Sequence, residues 1–235
     1  MPIKQSPLLC ELHAHTTWSD GTHTLRELVD LYGQSGFDVL AVTDHATPFD
    51  GVRPERFPDY LEAIETERER AARLYDLLVV PGLELTYDDP DPLVAGHAVA
   101  VGLRSYVELG EGLEPALCAA RAHGAALVAA HPYLPGEAAV APRGTGAFGA
   151  EPERWAPLVD RFELFNRTAL FSWVADRGLP FVACGDFHEL DHLGGWKTLI
   201  PCWKHERAVV EYLRSTRPVY LVRLDAPAAT LPRAA

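Results

Sequence analysis

Six of the ten histidines in this 235-residue chain stand in short motifs with aspartate or glutamate close by. The first motif is His13-Ala14-His15, followed by Asp20 in a Ser-Asp-Gly turn. Next come Asp44-His45, Glu84 at the end of Pro81-Gly82-Leu83-Glu84, His97 after Gly96, and His131 before Pro132. Glu163 and Asn166 follow, and the last motif is Asp186-Phe187-His188. Imidazole and carboxylate are the ligands of Zn²⁺, Mn²⁺ and Fe²⁺ in hydrolytic sites. A lone histidine of this kind is an ordinary polar residue, but six arranged in this way point to a shared metal site. His23, His123, His192 and His205 lie in or beside helices or in irregular sequence, and we read them as surface residues.

A shared site needs elements that bring these residues together. Short apolar runs predict strands over 8–13, 39–43, 77–83, 97–103, 126–130, 161–165, 181–185 and 219–222. Several are apolar throughout, as strands covered on both faces are. Amphipathic stretches predict helices over 24–34, 58–75, 114–123, 168–177 and 205–214. Strand–helix alternation of this kind predicts a parallel α/β architecture. Nearly every motif falls at a strand end, where parallel barrels carry their catalytic groups. His13 and His15 are two apart, so on an extended chain both imidazoles point the same way.

Length and composition set the frame. The chain suits one large domain, which we place at 1–225, with residues 226–235 as a frayed Ala- and Pro-rich tail. The formal net charge of −12 disfavours nonspecific binding to a polyphosphate backbone. Cys10, Cys118, Cys184 and Cys202 form no Cys-x-x-Cys pair, and we expect them reduced and mostly buried. No charged leader precedes an apolar run at the N-terminus, and no apolar stretch is long enough to span a bilayer. The expectation is a cytoplasmic enzyme. The Gly-, Pro- and Ala-rich stretch 132–152 reads as a long loop, either a lid over the site or a surface excursion.

In order, the motifs HAHTTWSDGT, TDH, PGLE, GHAV, AHP and GDFH resemble the PHP family, named for polymerase and histidinol phosphatase. They run from His13 to His188. The resemblance implies a single-domain distorted (β/α)7 barrel with two to three divalent ions of Mn, Fe or Zn. His13, His15, Glu84 and Asp186 would hold the first ion. Glu84 would bridge to a second, also held by His97 and His131. Asp20, His45 and His188 would hold the third. The implied activity is hydrolysis of a small phosphorylated metabolite or nucleotide by a hydroxide shared between ions. Leu134 departs from the basic residue expected after His-Pro-Tyr, which leaves the phosphate grip to be supplied elsewhere.

Other residues receive supporting roles. Asp44 abuts His45 and is expected to orient a ligand imidazole. Glu163 has three roles open to it: partner of a ligand, proton carrier or barrel-layer side chain. Arg143 in the long loop, Arg167 and Lys197 are the candidate substrate-binding cations. An exonuclease or cyclic phosphodiesterase would use the same site, although a nuclease predicts a basic track that this acidic chain lacks. A non-catalytic interaction module would not need the full ligand set. A metal-dependent amidohydrolase would call for a lysine at a strand end, and we find none. The partner expected is a small phosphate ester, with neither nucleic acid nor membrane.

Overall fold

The computed structural model describes residues 6–47, 51–141 and 144–225. Its strands are β1 (Leu8–Glu11), β2 (Val39–Val42), β3 (His45–Ala46), β4 (Leu78–Tyr87), β5 (Gly96–Val101) and β6 (Ala126–Ala130). They continue with β7 (Arg161–Asn166), β8 (Ala169–Leu170), β9 (Phe181–Cys184), β10 (Gly195–Ile200) and β11 (Tyr220–Leu224). The main helices are α1 (Leu25–Gln34), α2 (Phe57–Tyr75), α3 (Leu113–Ala122) and α8 (Glu206–Leu213). Four short ones are α4 (Pro135–Ala138), α5 (Ala147–Ala150), α6 (Pro152–Trp155) and α7 (Ser172–Asp176).

Seven strands curl into a distorted barrel, in the order β1-β2-β4-β5-β6-β7-β9. β9 returns to β1 at the rim, where His15 N donates to Phe187 O (2.8 Å) and Phe187 N donates to His13 O (3.1 Å). The barrel pairs are parallel except where β5 is involved, since β5 runs against both β4 and β6. This corrects the all-parallel expectation. Only residues 88–95 join β4 to β5, too few for a crossover helix, so the chain can only turn back as a hairpin. The reversal matters for chemistry. It brings His97, at the start of β5, to the same rim as Glu84, near the end of β4.

The elements follow local rules. Thr24 caps α1 in a capping box with Glu27, and burial of Leu25, Leu28, Val29 and Tyr32 gives the helix its inner face. Asp76 ends α2 in a left-handed conformation. β4 continues four residues past the predicted end, and β3 pairs with that extension. The predicted helix over 168–177 is shorter, because Ala169–Leu170 first fold back on β7. β10 was absent from the expected set. It is antiparallel to β1 and β11 and lies outside the barrel's parallel run. The stretch 132–152 is no structureless loop, since α4 and α5 lie within it. Residues 226–235 and Arg143 lie outside the described residues. No helix among the described residues is long and apolar enough to cross a membrane.

Two cations lie in the core. Arg161 donates to the carbonyls of Leu213, Tyr212, Ser215, Arg217 and Phe181, so it holds the C-terminal end of α8 against β7 and β9. Lys197 is fully buried and donates to Glu11 Oε2 at 2.6 Å. Glu11 also accepts from Tyr32 OH (3.1 Å) and from the backbone N–H groups of Leu12 (3.1 Å), His13 (3.2 Å) and Gly185 (2.7 Å). This carboxylate thus ties β1 to the end of β9 beneath the rim, and a side chain at Gly185 would collide with both Glu11 and Lys197.

The cysteines are all free, but only Cys10 and Cys184 are buried; Cys118 is exposed and Cys202 partly so. The expectation of mostly buried thiols is corrected to two of four. Burial raises both core thiols well above their ordinary pKa, and pushes Cys202 up to about 11. We therefore expect one fast equivalent of Ellman's reagent per native chain at pH 8, lost in Cys118→Ser. Two or more fast equivalents would contradict the burial of Cys10 and Cys184.

Candidate metal centre

At the barrel rim, Glu84 lies at the middle of the cluster and is fully buried. Its Oε2 is 3.4 Å from His13 Nε2 and 3.4 Å from His15 Nε2. Its Oε1 is 3.3 Å from His97 Nδ1 and 3.2 Å from His131 Nε2. Asp186 Oδ1 approaches His13 Nε2 and His15 Nε2, each at 3.5 Å. Asp20 Oδ1 lies 3.4 Å from His45 Nε2 and 3.2 Å from His188 Nε2. The nine residues named as ligands from the motifs therefore stand together. Three overlapping groups have ligand atoms within 4.8 Å of one another: His15, Asp20, His45 and His188; His13, His15 and Glu84; His45, Glu84 and His97.

Each imidazole commits its other nitrogen to an acceptor on the outer side. His13 Nδ1 meets Glu163 Oε1 (2.8 Å), His45 Nδ1 meets Thr86 Oγ1 (2.8 Å) and His131 Nδ1 meets Thr145 Oγ1 (2.8 Å). His97 Nε2 meets Asp88 Oδ1 (3.0 Å) and His188 Nδ1 meets the Asp186 carbonyl (3.0 Å). His15 Nδ1 lies 3.5 Å from Ser19 Oγ. The hydroxyls are acceptors here because their own protons go elsewhere: Ser19 donates to Asp44, Thr86 to Glu84 O and Thr145 to His131 O. For His13, His97 and His131 this directs an N–H outward and leaves the inward nitrogen's lone pair toward Glu84, whereas His45 Nδ1 lies between Thr86 and Glu84 Oε2 (2.7 Å).

The inward atoms find no ordinary partner. His13 Nε2, His15 Nε2, His97 Nδ1 and Glu84 Oε2 are buried and make no hydrogen bond among the described residues, although His45 Nδ1 stands 2.7 Å from Glu84 Oε2 as a charge neighbour. Each such atom costs about 1–3 kcal/mol. Four in one cluster, all lone-pair bearing, fit a set of cations. Among the protein groups themselves the charges are shared unevenly. Burial acts against ionisation of Glu84, but His45, His13 and His97 hold it well below the usual carboxylate range. Burial likewise opposes a proton on His45, yet Glu84 and Asp20 raise it to about 10. Burial and the neighbouring His45 lower His15 to about 3.

The supporting residues differ in part from expectation. Glu163 spans two ligands: besides His13, its Oε2 accepts from His131 N (2.7 Å) and from Asn166 Nδ2 (2.8 Å). Asp44 touches no imidazole through a hydrogen bond. It accepts from Thr16 N (2.8 Å), Thr16 Oγ1 and Ser19 Oγ (2.7 Å), and so shapes the turn between His15 and Asp20. Asp44 lies between β2 and β3 and reaches a ligand imidazole only indirectly, through Ser19 beside His15, not through its neighbour His45. Lys197 is removed from the substrate-binding set, because it is buried against Glu11. Arg167 stands at the rim, donating to the Asp186 carbonyl (2.9 Å) and carboxylate (3.1 Å). His192 Nδ1 accepts from His188 N (3.1 Å), and His205 caps α8, so both serve local structure.

Sequence reasoning missed Thr86, Asp88 and Thr145. Thr86 carried a signal, since it stands two residues from Glu84 on one strand. The backbone is strained at the centre: His131 (φ 28°), Arg167 (φ 55°) and Asp186 (φ 44°) all lie in the left-handed region. Beside the cluster opens a cavity of about 830 Å³, lined in part by Asp20, His45, Asp88, His97, Arg53 and Tyr106.

Comparison with known proteins matches residues 11–131 to the PHP domain, and the chain belongs to that family. Over 87 residues it is 31% identical to the DNA polymerase/3′-5′ exonuclease PolX of Bacillus subtilis (strain 168), a stretch of 34% of this chain and 15% of that protein. Its fold is similar to a two-domain Bacteroides vulgatus protein containing a predicted PHP-like metal-dependent phosphoesterase (TM-score 0.66, 19% identity, covering 93% of this chain and 65% of that one). It is also similar to a candidate metal-dependent phosphoesterase of Bifidobacterium adolescentis (TM-score 0.52, 17% identity, 79% and 90%). The chain thus spans a small part of PolX and just under two thirds of the Bacteroides protein.

Proposed function

We propose that this chain is a metal-dependent phosphoester hydrolase acting on a small phosphate ester. One observation carries the reading: six imidazoles converge on three carboxylates, Glu84, Asp186 and Asp20, and each has a further partner that fixes its ring. His13, His15, Glu84 and Asp186 would hold one ion; Glu84, His97 and His131 a second; Asp20, His45 and His188 a third. Bound there, divalent ions would supply an activated water and offset the charge of the phosphate oxygens.

The chain's own residues do the rest. Glu84 stands between two groups of histidines and sets the spacing of whatever they hold. Glu163 holds His13 in the ring orientation that turns Nε2 inward. Arg167, partly exposed beside Asp186, is placed to meet a phosphate oxygen. Arg143 remains a candidate for the same task from the 132–152 segment. The cavity beside the site favours a compact ester: its lining includes Glu55, Asp88 and Glu108, and Arg53 is paired with Glu55 at 3.1 Å. A strand carrying many phosphates would meet repulsion there.

The exonuclease reading is the alternative, and the PolX likeness is what favours it. One experiment separates them. Metal-stripped protein is reloaded with Mn²⁺, Fe²⁺ or Zn²⁺ and assayed against sugar phosphates, nucleotides, cyclic phosphodiesters and single-stranded oligonucleotides. We expect chelation to abolish turnover and one of the metals to restore it on a small ester. Turnover by fully stripped protein would reject the metal reading. Preference for oligonucleotides would favour the alternative.

A further inference from the structure

We propose that the β4–β5 hairpin loop and the strip 144–147 form one clamp on His97 and His131, with Asp88 as its positioning residue. This clamp makes that half of the site separable from the rest. The inference rests on the metal-centre reading above and adds which ion is exchangeable.

Four of the six histidines are steadied from within the barrel and its rim. His13 leans on Glu163 of β7 and His45 on Thr86 of β4. His15 leans on Ser19, itself fixed by buried Asp44, and His188 on a carbonyl two residues away. His97 and His131 differ. Their outer partners, Asp88 and Thr145, belong to segments outside the barrel strands. The Asp88 side chain is 73% exposed.

Those two segments are bonded to each other. Gly146 N donates to Pro92 O (2.7 Å) and Ala147 N donates to Ala95 O (3.0 Å). The approach needs a glycine, since a Cβ at position 146 would stand 2.8 Å from Pro92 O. The hairpin loop holds its own shape: Asp91 N donates to Asp89 Oδ1 (2.8 Å), Leu93 N to Asp91 Oδ1 (2.9 Å) and Ala95 N to Asp91 O (3.1 Å). The strip is bonded back to the ligand it serves, through Thr145 Oγ1 to His131 O (2.9 Å).

Two ligands on the same side of Glu84 thus depend on one assembly, whose hairpin loop is largely exposed while Thr145 and Ala147 are buried. His97 presents Nδ1 to Glu84 (3.3 Å) and leaves Nε2 to the loop. Asp88 holds that orientation by taking the N–H at Nε2. An exposed hairpin loop opens more readily than core strands, and its opening removes Asp88 and the Pro92 and Ala95 carbonyls that hold the strip. An ion held by His97 and His131 would therefore leave by local opening, while the ions on the barrel side stay.

The test uses the full chain loaded with Zn²⁺ and dialysed against graded chelator, with bound ions per chain counted by mass spectrometry. Wild type is compared with Asp88→Ala, Asp88→Asn and Thr145→Val. Partner loss of this kind weakens metal affinity about 10–100-fold. We expect Asp88→Ala and Thr145→Val each to release one ion at correspondingly lower chelator strength and to keep the rest. Asp88→Asn retains an acceptor and should fall between Asp88→Ala and wild type. The melting temperature of stripped Asp88→Ala should match that of stripped wild type, because Asp88 is exposed. Release of all ions together, or release at the wild-type chelator strength, would overturn the clamp. Wild type that binds no ion would instead overturn the metal-centre reading itself.

Discussion

Glu84→Gln is expected to lose more than one metal ion per chain and to lower kcat by at least about 10²–10³-fold, the scale of removing a group that stabilises charge in the reacting complex. The substitution keeps size and shape and removes the charge. That charge has five imidazole neighbours: four histidines approach its two oxygens within 3.4 Å, and His45 Nδ1 is nearer still at 2.7 Å. A histidine lost from the edge of the site leaves a gap that water fills. A carboxylate lost from the middle leaves both of its oxygens' partners without a counter-charge. His188→Ala is the control. It should empty the Asp20 and His45 side and leave measurable turnover. A full metal complement with near-normal kcat in Glu84→Gln would refute the bridging role and make Glu163 the next candidate.

Lys197→Met is expected to destabilise the fold by about 3–5 kcal/mol, the cost of leaving one member of a buried ion pair alone. For a chain of this size each kcal/mol lowers Tm by about 2–4 °C. The isolated group would be Glu11, which cannot turn to solvent because its oxygens bind three backbone N–H groups and Tyr32. The double variant Glu11→Gln, Lys197→Met should recover a substantial part of the loss, since no charge then remains. Urea denaturation of metal-stripped protein measures both. A single variant within 1 kcal/mol of wild type, or a double variant worse than the single, would show that the pair is not what holds β1 to β9.

These two residues also mark the boundary of what the sequence discloses. Glu84 was legible because its chemistry and its place after an apolar run suffice to suggest a ligand, and the same holds for the six histidines. Lys197 was misread because a lone lysine behind the last motif looks solvated. Its partner, Glu11, lies 186 positions away on the other side of the barrel seam. β10 escaped notice for a related reason: a glycine starts Gly195–Ile200 and this lysine interrupts its apolar run. The direction of β5 was within reach, because residues 88–95 are too few for a crossover. Thr145 and Asp88 were not, since a threonine or aspartate in a loop gives no local sign that a distant imidazole will lean on it. Asp44 shows the opposite error. Adjacency to His45 suggested contact, yet Asp44 sits between β2 and β3 and is taken up by Thr16 and Ser19.

The left-handed backbone at His131 and Asp186 carries a consequence for any effort to improve this protein. Glycine would relieve each position of part of a conformational cost of order 1–3 kcal/mol. Three of the four non-glycine residues with positive φ in the described chain stand at the centre, Arg167 being the third. Selection for thermal resilience alone would thus find its gains where the chemistry is, and would erase the site while leaving the barrel intact. A library screened only for survival on heating should be expected to return well-folded, inert barrels, whereas one screened for turnover would preserve the tension that these three residues embody.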